Sequence, residues 1–104
     1  MKRKGFIMTV YPDKHDEYEK RHNEIWPEMV EELNQHGARN YSIFLDKQTN
    51  QLFGYIEIEN EEKWDKMAKN SINQKWWEFM KPVMKTNSDN SPVSIDLKEV
   101  FHMD

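Results

Sequence analysis

Two runs rich in β-branched and aromatic residues, 41–46 and 52–59, are separated only by the polar stretch Lys47-Gln48-Thr49-Asn50-Gln51. That spacing makes the middle of the chain a β-hairpin. A third strand-forming run covers residues 4–10, with Phe6, Met8 and Val10 on one face and Ile7 and Thr9 on the other. A fourth covers residues 94–103. A hairpin flanked on each side by a helical stretch and a further strand reads strand, helix, strand, strand, helix, strand. This is the α+β, split βαβ or ferredoxin-like pattern, with helices on one face of a four-stranded antiparallel sheet.

The helical stretches carry their own punctuation. Asp13 is the expected N-cap of a first helix running to about Asn23, with Asp16 and Glu17 at its positive end. Pro27 lacks the amide hydrogen that a helix interior needs and marks a restart, and Gly37 marks the stop. After the hairpin, Asn60 caps a helix carrying Trp64 and Met67. Ser71 and Gln74 have the spacing of a capping box for a further helix with Trp76, Trp77 and Met80, which frays near Pro82. Residues 86–92, rich in Asn, Asp and Ser, read as a loop. At 104 residues the chain forms one domain spanning 1–104.

The strands are apolar on both faces. Tyr41, Ile43 and Leu45 alternate with Phe44, while Leu52, Ile56 and Ile58 alternate with Phe53 and Tyr55. One row faces the helices, and the other needs a second cover. A symmetric copy presenting the same face would supply it, so the pattern predicts a homodimer whose two sheets close into a dimeric α+β barrel. A ligand groove or a different protein are the other possible covers.

Charge and residue types exclude several classes. With 15 basic against 19 acidic residues the net charge is −4, which repels nucleic-acid phosphates. Met1-Lys2-Arg3-Lys4 imitates the start of a signal peptide, but the apolar run after it ends at Val10, too early for such a segment. No stretch has membrane-spanning length, and no cysteine is present for disulfides or thiolate metal sites. A cytoplasmic protein is the expectation. Gly-rich phosphate loops and a Gly-x-Ser-x-Gly elbow are missing, and with them the support for nucleotide and serine-hydrolase readings.

The chemistry that remains gathers around His22. Tyr18, His22 and Trp26 are spaced by four and would share a face on one continuous helix, although Pro27 can turn the Trp26 end away. An imidazole exchanges protons near neutral pH, and a phenol one turn away can orient a hydroxylated ligand. The plain alternative makes the aromatic pair core rings and His22 their neighbour. Glu19 and His22 have the Glu-x-x-His spacing of di-iron bundles, but only one copy exists. His15, His36 and His102 lie at a helix start, a helix end and a tail. Trp76 and Trp77 diverge by about a hundred degrees on a helix, so one can be buried while the other edges a pocket. Indole beside a polar cleft suits a pyranose, whose C–H face packs on the ring.

Taken together, Tyr18-Glu19-Lys20-Arg21-His22-Asn23-Glu24-Ile25-Trp26-Pro27-Glu28, His36-Gly37, Asn40-Tyr41-Ser42-Ile43-Phe44-Leu45-Asp46, Trp76-Trp77 and Asp89-Asn90-Ser91-Pro92 resemble the L-rhamnose mutarotase family. The blocks run in order along nearly the whole chain. The family's pattern has Asn-Pro-Asp where this chain has Asn87-Ser88-Asp89, a departure that touches loop stiffness. The resemblance implies a cytoplasmic, homodimeric isomerase that exchanges the α and β anomers of L-rhamnose without a metal or organic cofactor. It places the proton-donor role on His22 and sugar contacts on Tyr18, Tyr41, Trp76 and Trp77. The reaction moves two protons, and the base stays open among a carboxylate, a water and a substrate hydroxyl. The alternatives are a haem-handling or monooxygenase protein of the same barrel architecture, with His22 as iron ligand, and a non-catalytic sugar-binding dimer.

Overall fold

A computed structural model describes residues 1–104. Four strands, β1 (Lys2–Thr9), β2 (Ala38–Asp46), β3 (Gln51–Ile58) and β4 (Ile95–Leu97), form one sheet in the order β2-β3-β1-β4. Every neighbouring pair is antiparallel. Helices α1 (His15–Asn23) and α2 (Pro27–Gln35) cross from β1 to β2. Helices α3 (Glu61–Asp65) and α4 (Ser71–Met80) cross from β3 to β4, each followed by a 3₁₀ turn, Lys66–Lys69 and Lys81–Val83. Each crossover skips one strand, which is the ferredoxin-like topology the pattern predicts.

The register sorts the strand residues into two faces. Met8 stands opposite Leu52, which stands opposite Leu45, and Lys2, Ile58 and Ala38 align at the other end. This face meets the helices: Met8 and Leu52 are buried with Tyr18, Met29, Met67, Trp76, Met80 and Val83, while Ile56 and Ile58 form a second cluster with Ala38, against which Leu33 and Trp64 pack. The opposite face carries the row Phe44, Phe53, Ile7, Ile95 across all four strands. Phe44 remains 66 % exposed there and Ile95 62 %.

Two backbone features shape the interior. Gly54 pairs with Phe6, and a Cβ at residue 54 would stand 2.3 Å from the Phe6 ring. Glycine is therefore what lets that ring lie flat on β3, from where it supports Tyr41 edge-on at 6.1 Å. On β2 the register shifts between Arg39 and Ser42, with Asn40 in the left-handed region at φ 51°. In a regular strand Ala38 and Tyr41, three residues apart, would face opposite sides. The bulge adds one residue, so both face the helices.

The ends of several elements differ from their sequence pattern. β1 starts at Lys2, and Val10 forms only an isolated bridge to Met84. Lys14, not Asp13, precedes α1, and no side chain caps it. The capping box at Ser71 and Gln74 does not form: Asn70 is the N-cap, its side chain accepting from Asn73 N at 3.0 Å, while the Gln74 amide donates to Ala68 O. Asn one position earlier is the better acceptor for the free first-turn amides. α3 stops at Asp65, leaving Met67 in the 3₁₀ turn. The last strand is the largest difference, with Ile95–Leu97 paired and residues 98–104 outside any ladder. β4 is an edge, and beyond Leu97 only side chains stay in step, Glu99 taking a two-pronged bond from Arg3 at 2.8 and 3.1 Å. Val100, Phe101 and Met103 point into solvent.

Candidate active site

Between the helix-facing side of the sheet and the helices lies a cavity of about 920 Å³, lined by Tyr18, His22, Tyr41, Trp76 and Trp77 among others. All five residues singled out from the sequence therefore meet in one place. Tyr18 and His22 come from the last two turns of α1, with ring centroids 4.4 Å apart. Trp76 comes from α4 and meets His22 edge-on at 5.4 Å. Trp26 sits outside α1, immediately before Pro27 opens α2. The helix ends at Asn23, so Trp26 does not continue the Tyr18–His22 face, yet its ring packs edge-on against Trp76 at 5.1 Å and braces the site from behind. Trp76 is buried and Trp77 half-buried, as adjacent positions on a helix require.

The hydrogen bonds define the state of His22. Its Nδ1 lies 3.1 Å from the Tyr18 carbonyl oxygen. A carbonyl oxygen only accepts, so Nδ1 carries the hydrogen and donates it. Burial lowers the pKa of His22 below its ordinary value, with the Tyr18 carbonyl opposing in part. The neutral ring then holds its lone pair on Nε2. Burial also raises the Tyr18 phenol, with Tyr41 adding to the effect. Tyr41 is 39 % exposed as a residue, but its hydroxyl sits among enough protein that its pKa is pushed up to about 12. Both phenols hold their protons throughout the neutral range and act as hydrogen-bond donors.

The Tyr18 hydroxyl, His22 Nε2 and the Trp76 indole N–H bond to no protein atom, and no polar side-chain atom is sealed away unpaired. Each is therefore open to the cavity that its residue lines. Apolar walls with a few convergent, unpaired polar groups are what a small polar ligand with C–H faces requires. Glu19 lines the same cavity one turn from His22, but no three His, Asp, Glu or Cys side chains gather around a point that could hold a metal ion. His15 also lines the cavity, its ring bonded to Asn50, whereas His36 and His102 lie apart, bonded to the Glu32 carbonyl and Asp104. Of the lining residues that the sequence pattern does not single out, Asn73 is the one that is both polar and buried. Asn73, 5 % exposed, stands three and four positions before the paired tryptophans on the same face of α4. The spacing alone could have found it.

The profile of the L-rhamnose mutarotase family matches residues 3–103. The chain is 88 % identical over its full length to the L-rhamnose mutarotase of Oceanobacillus iheyensis, covering all of that protein. Its structure is similar to the crystal structure of an L-rhamnose mutarotase from Formosa agariphila, with a TM-score of 0.93, 40 % identity and full coverage of both chains. A dimeric ferredoxin-like protein from an uncultured marine organism matches with a TM-score of 0.52 and 14 % identity, over 97 % of this chain and 96 % of that one, and shows the fold alone.

Proposed function

The chain belongs to the L-rhamnose mutarotase family and is an isomerase that interconverts the α and β anomers of L-rhamnose, and we propose that a single imidazole, that of His22, moves both protons of the reaction. The observation that carries this reading is the unpaired Nε2 of a neutral His22 open on the cavity.

The step balances on one group. Nε2 takes the proton from the anomeric hydroxyl, the C1–O1 bond becomes a carbonyl, and the C1–O5 ring bond breaks. The imidazolium then gives its proton to O5. O1 and O5 share a carbon, so one ring nitrogen can reach both. Rotation about C1–C2 presents the other carbonyl face, and the reverse sequence closes the ring as the second anomer. His22 is thus a base before it is the donor named by the family resemblance. Tyr18 and Tyr41 donate to sugar oxygens without ionising, and Trp76 and Trp77 offer indole surface to the C–H face of the pyranose. The apolar lining favours the rhamnose methyl over a hydroxymethyl group by about 1–3 kcal/mol.

The test of the activity is NMR exchange spectroscopy on equilibrated L-rhamnose. Added protein is expected to speed exchange between the anomeric signals, and an unchanged rate would refute the reading. The order of proton transfer has its own test. With the pKa of His22 lowered, the neutral base predominates above pH 6.5, so the protein-dependent rate is expected to be flat from there to about pH 9. On the acid side of that plateau it falls, as the ring becomes protonated. The raised phenols add no alkaline limb below about pH 9. A rate that instead declines as pH rises through the mildly acidic range would mean that the imidazolium is the starting form.

The second copy is part of the same proposal. The row Phe44, Phe53, Ile7, Ile95 and the adjoining Tyr55 and Leu97 leave an apolar face that the chain's own helices do not cover. A two-fold partner presenting the same row would cover it, and that uncovered row is what supports a homodimer. Sedimentation at micromolar concentration is expected to give twice the chain mass, and Phe44→Glu to give monomer. A wild-type monomer would refute it. No helix is long and apolar enough to cross a membrane. A cytoplasmic location is proposed with the activity, and cell fractionation tests it.

A further inference from the structure

Among the groups that line the cavity, one is polar, deeply buried and absent from the mechanism. Asn73 sits in the first turn of α4, and only 5 % of its surface is exposed. Its side-chain Nδ2 donates to the Met67 carbonyl at 3.0 Å. That bond fixes which way the amide points, because a carbonyl oxygen can face only the NH₂ end. Oδ1 is therefore turned the other way. It accepts no hydrogen bond from the protein, and no polar side-chain atom is sealed off without a partner, so Oδ1 is reached from the cavity that Asn73 lines.

The partner it awaits is a donor. Of the other polar groups at this cavity, the indole N–H groups only donate, the phenols of Tyr18 and Tyr41 hold their protons and are placed as donors, Glu19 is a charged acceptor one turn from His22, and His22 Nε2 is committed to the reacting oxygens. A pyranose hydroxyl needs both an acceptor for its hydrogen and a donor to its oxygen, and Asn73 Oδ1 supplies a neutral acceptor. Trp76 touches His22, and Asn73 lies three residues back along α4, a rise of about 4.5 Å. A sugar with C1 and O5 at His22 and its ring along α4 would bring a hydroxyl remote from C1 toward Asn73.

Resting on the mutarotase reading of the site, we infer that Asn73 Oδ1 accepts a hydrogen bond from the 3- or 4-hydroxyl of the bound sugar. It is the residue that selects substrates by that hydroxyl.

The experiment compares kcat/KM for anomer exchange on L-rhamnose and on its 2-, 3- and 4-deoxy analogues, with wild type and Asn73→Leu. Wild type is expected to lose about five- to a hundred-fold on the 3- or the 4-deoxy sugar beyond its loss on the 2-deoxy sugar. Asn73→Leu is expected to lose that same factor on rhamnose and to treat rhamnose and the discriminated analogue alike. An Asn73 that only holds the Met67 turn would lower the rate on all four sugars equally and leave the wild-type pattern intact, and that result overturns the inference. Should Asn73→Leu not fold, the deoxy series on wild type and the side-chain amide resonance of Asn73 decide. The resonance is expected to shift when rhamnose is added and not when the discriminated analogue is added. Equal shifts with both would overturn the inference. If wild type speeds exchange yet shows no preference for the 3- or 4-hydroxyl, only the role of Asn73 falls; if it speeds no exchange, the mutarotase reading falls with it.

Discussion

Replacing His22 by alanine is expected to lower protein-catalysed anomer exchange by about a hundred- to ten-thousand-fold, the range that one positioned acid or base contributes. In the shuttle described above His22 handles both protons, so the loss should lie toward the upper end and fall on kcat. KM should change little, because the sugar contacts come from Tyr18, Tyr41 and the tryptophans. The fold should survive, since the imidazole is only part-buried and its one hydrogen bond within the protein goes to a carbonyl of its own helix. His22→Gln sharpens the result: glutamine can accept and donate hydrogen bonds but cannot carry a proton between O1 and O5. Exchange spectroscopy with both variants, after circular dichroism has shown the helices intact, is the measurement. Retention of more than a tenth of the wild-type kcat in either would remove His22 from the centre of the mechanism.

The largest structural effect should come from Trp76→Ala, at about 3–5 kcal/mol of folding stability. Trp76 is buried where three helices meet: its ring packs on Trp26 at 5.1 Å, on Phe79 at 5.6 Å and against His22 at 5.4 Å. Alanine would leave a hole that neither α1 nor α4 can fill without moving. A domain of ordinary stability has about 5–15 kcal/mol in total, so the variant should unfold at a much lower urea midpoint with an unchanged slope. Trp77→Ala is the contrast. Its ring is only part-buried, so it should cost less stability while raising KM for the sugar. Equal midpoints for the two variants would contradict the division of labour between core ring and pocket edge.

The topology was legible because hydrophobic period and turn residues are local signals. Gly37 stops α2 with φ 86°, Asn60 caps α3 by accepting from Lys63 N at 2.7 Å, and the two-faced strands lie in the register that alternation demands. The differences between pattern and structure lie at element ends. Asn70 and Ser71 both suit a cap, and the choice between them was settled by Asn70 also bonding Glu32 on α2 at 2.9 Å. The strand pattern of residues 94–103 shortened to three residues for a related reason: propensity offers a strand, but a strand persists only where a neighbour's amides and carbonyls are within reach.

The site divides along the same line. Tyr18 and His22 belong together by sequence alone, one turn apart on one helix, and so do Trp76 and Trp77. Sequence order says nothing of how α1 meets α4, and it was packing that set His22 against Trp76 and brought Trp26 back to the site across a helix break. Tyr41 is the clearest case. Its distance from Ala38 places the two on opposite faces of any regular strand, and only the bulge at Asn40, a displacement visible in the pairing with β3 and not in residue types, turns Tyr41 toward His22. The sequence by itself determined the elements, their order and the helix-borne pairs, since these follow from contacts within a turn. The tertiary structure decided the cavity, the proton state of His22 and the exposure of Asn73 Oδ1, since burial and unpaired polar atoms exist only once distant segments have closed around them.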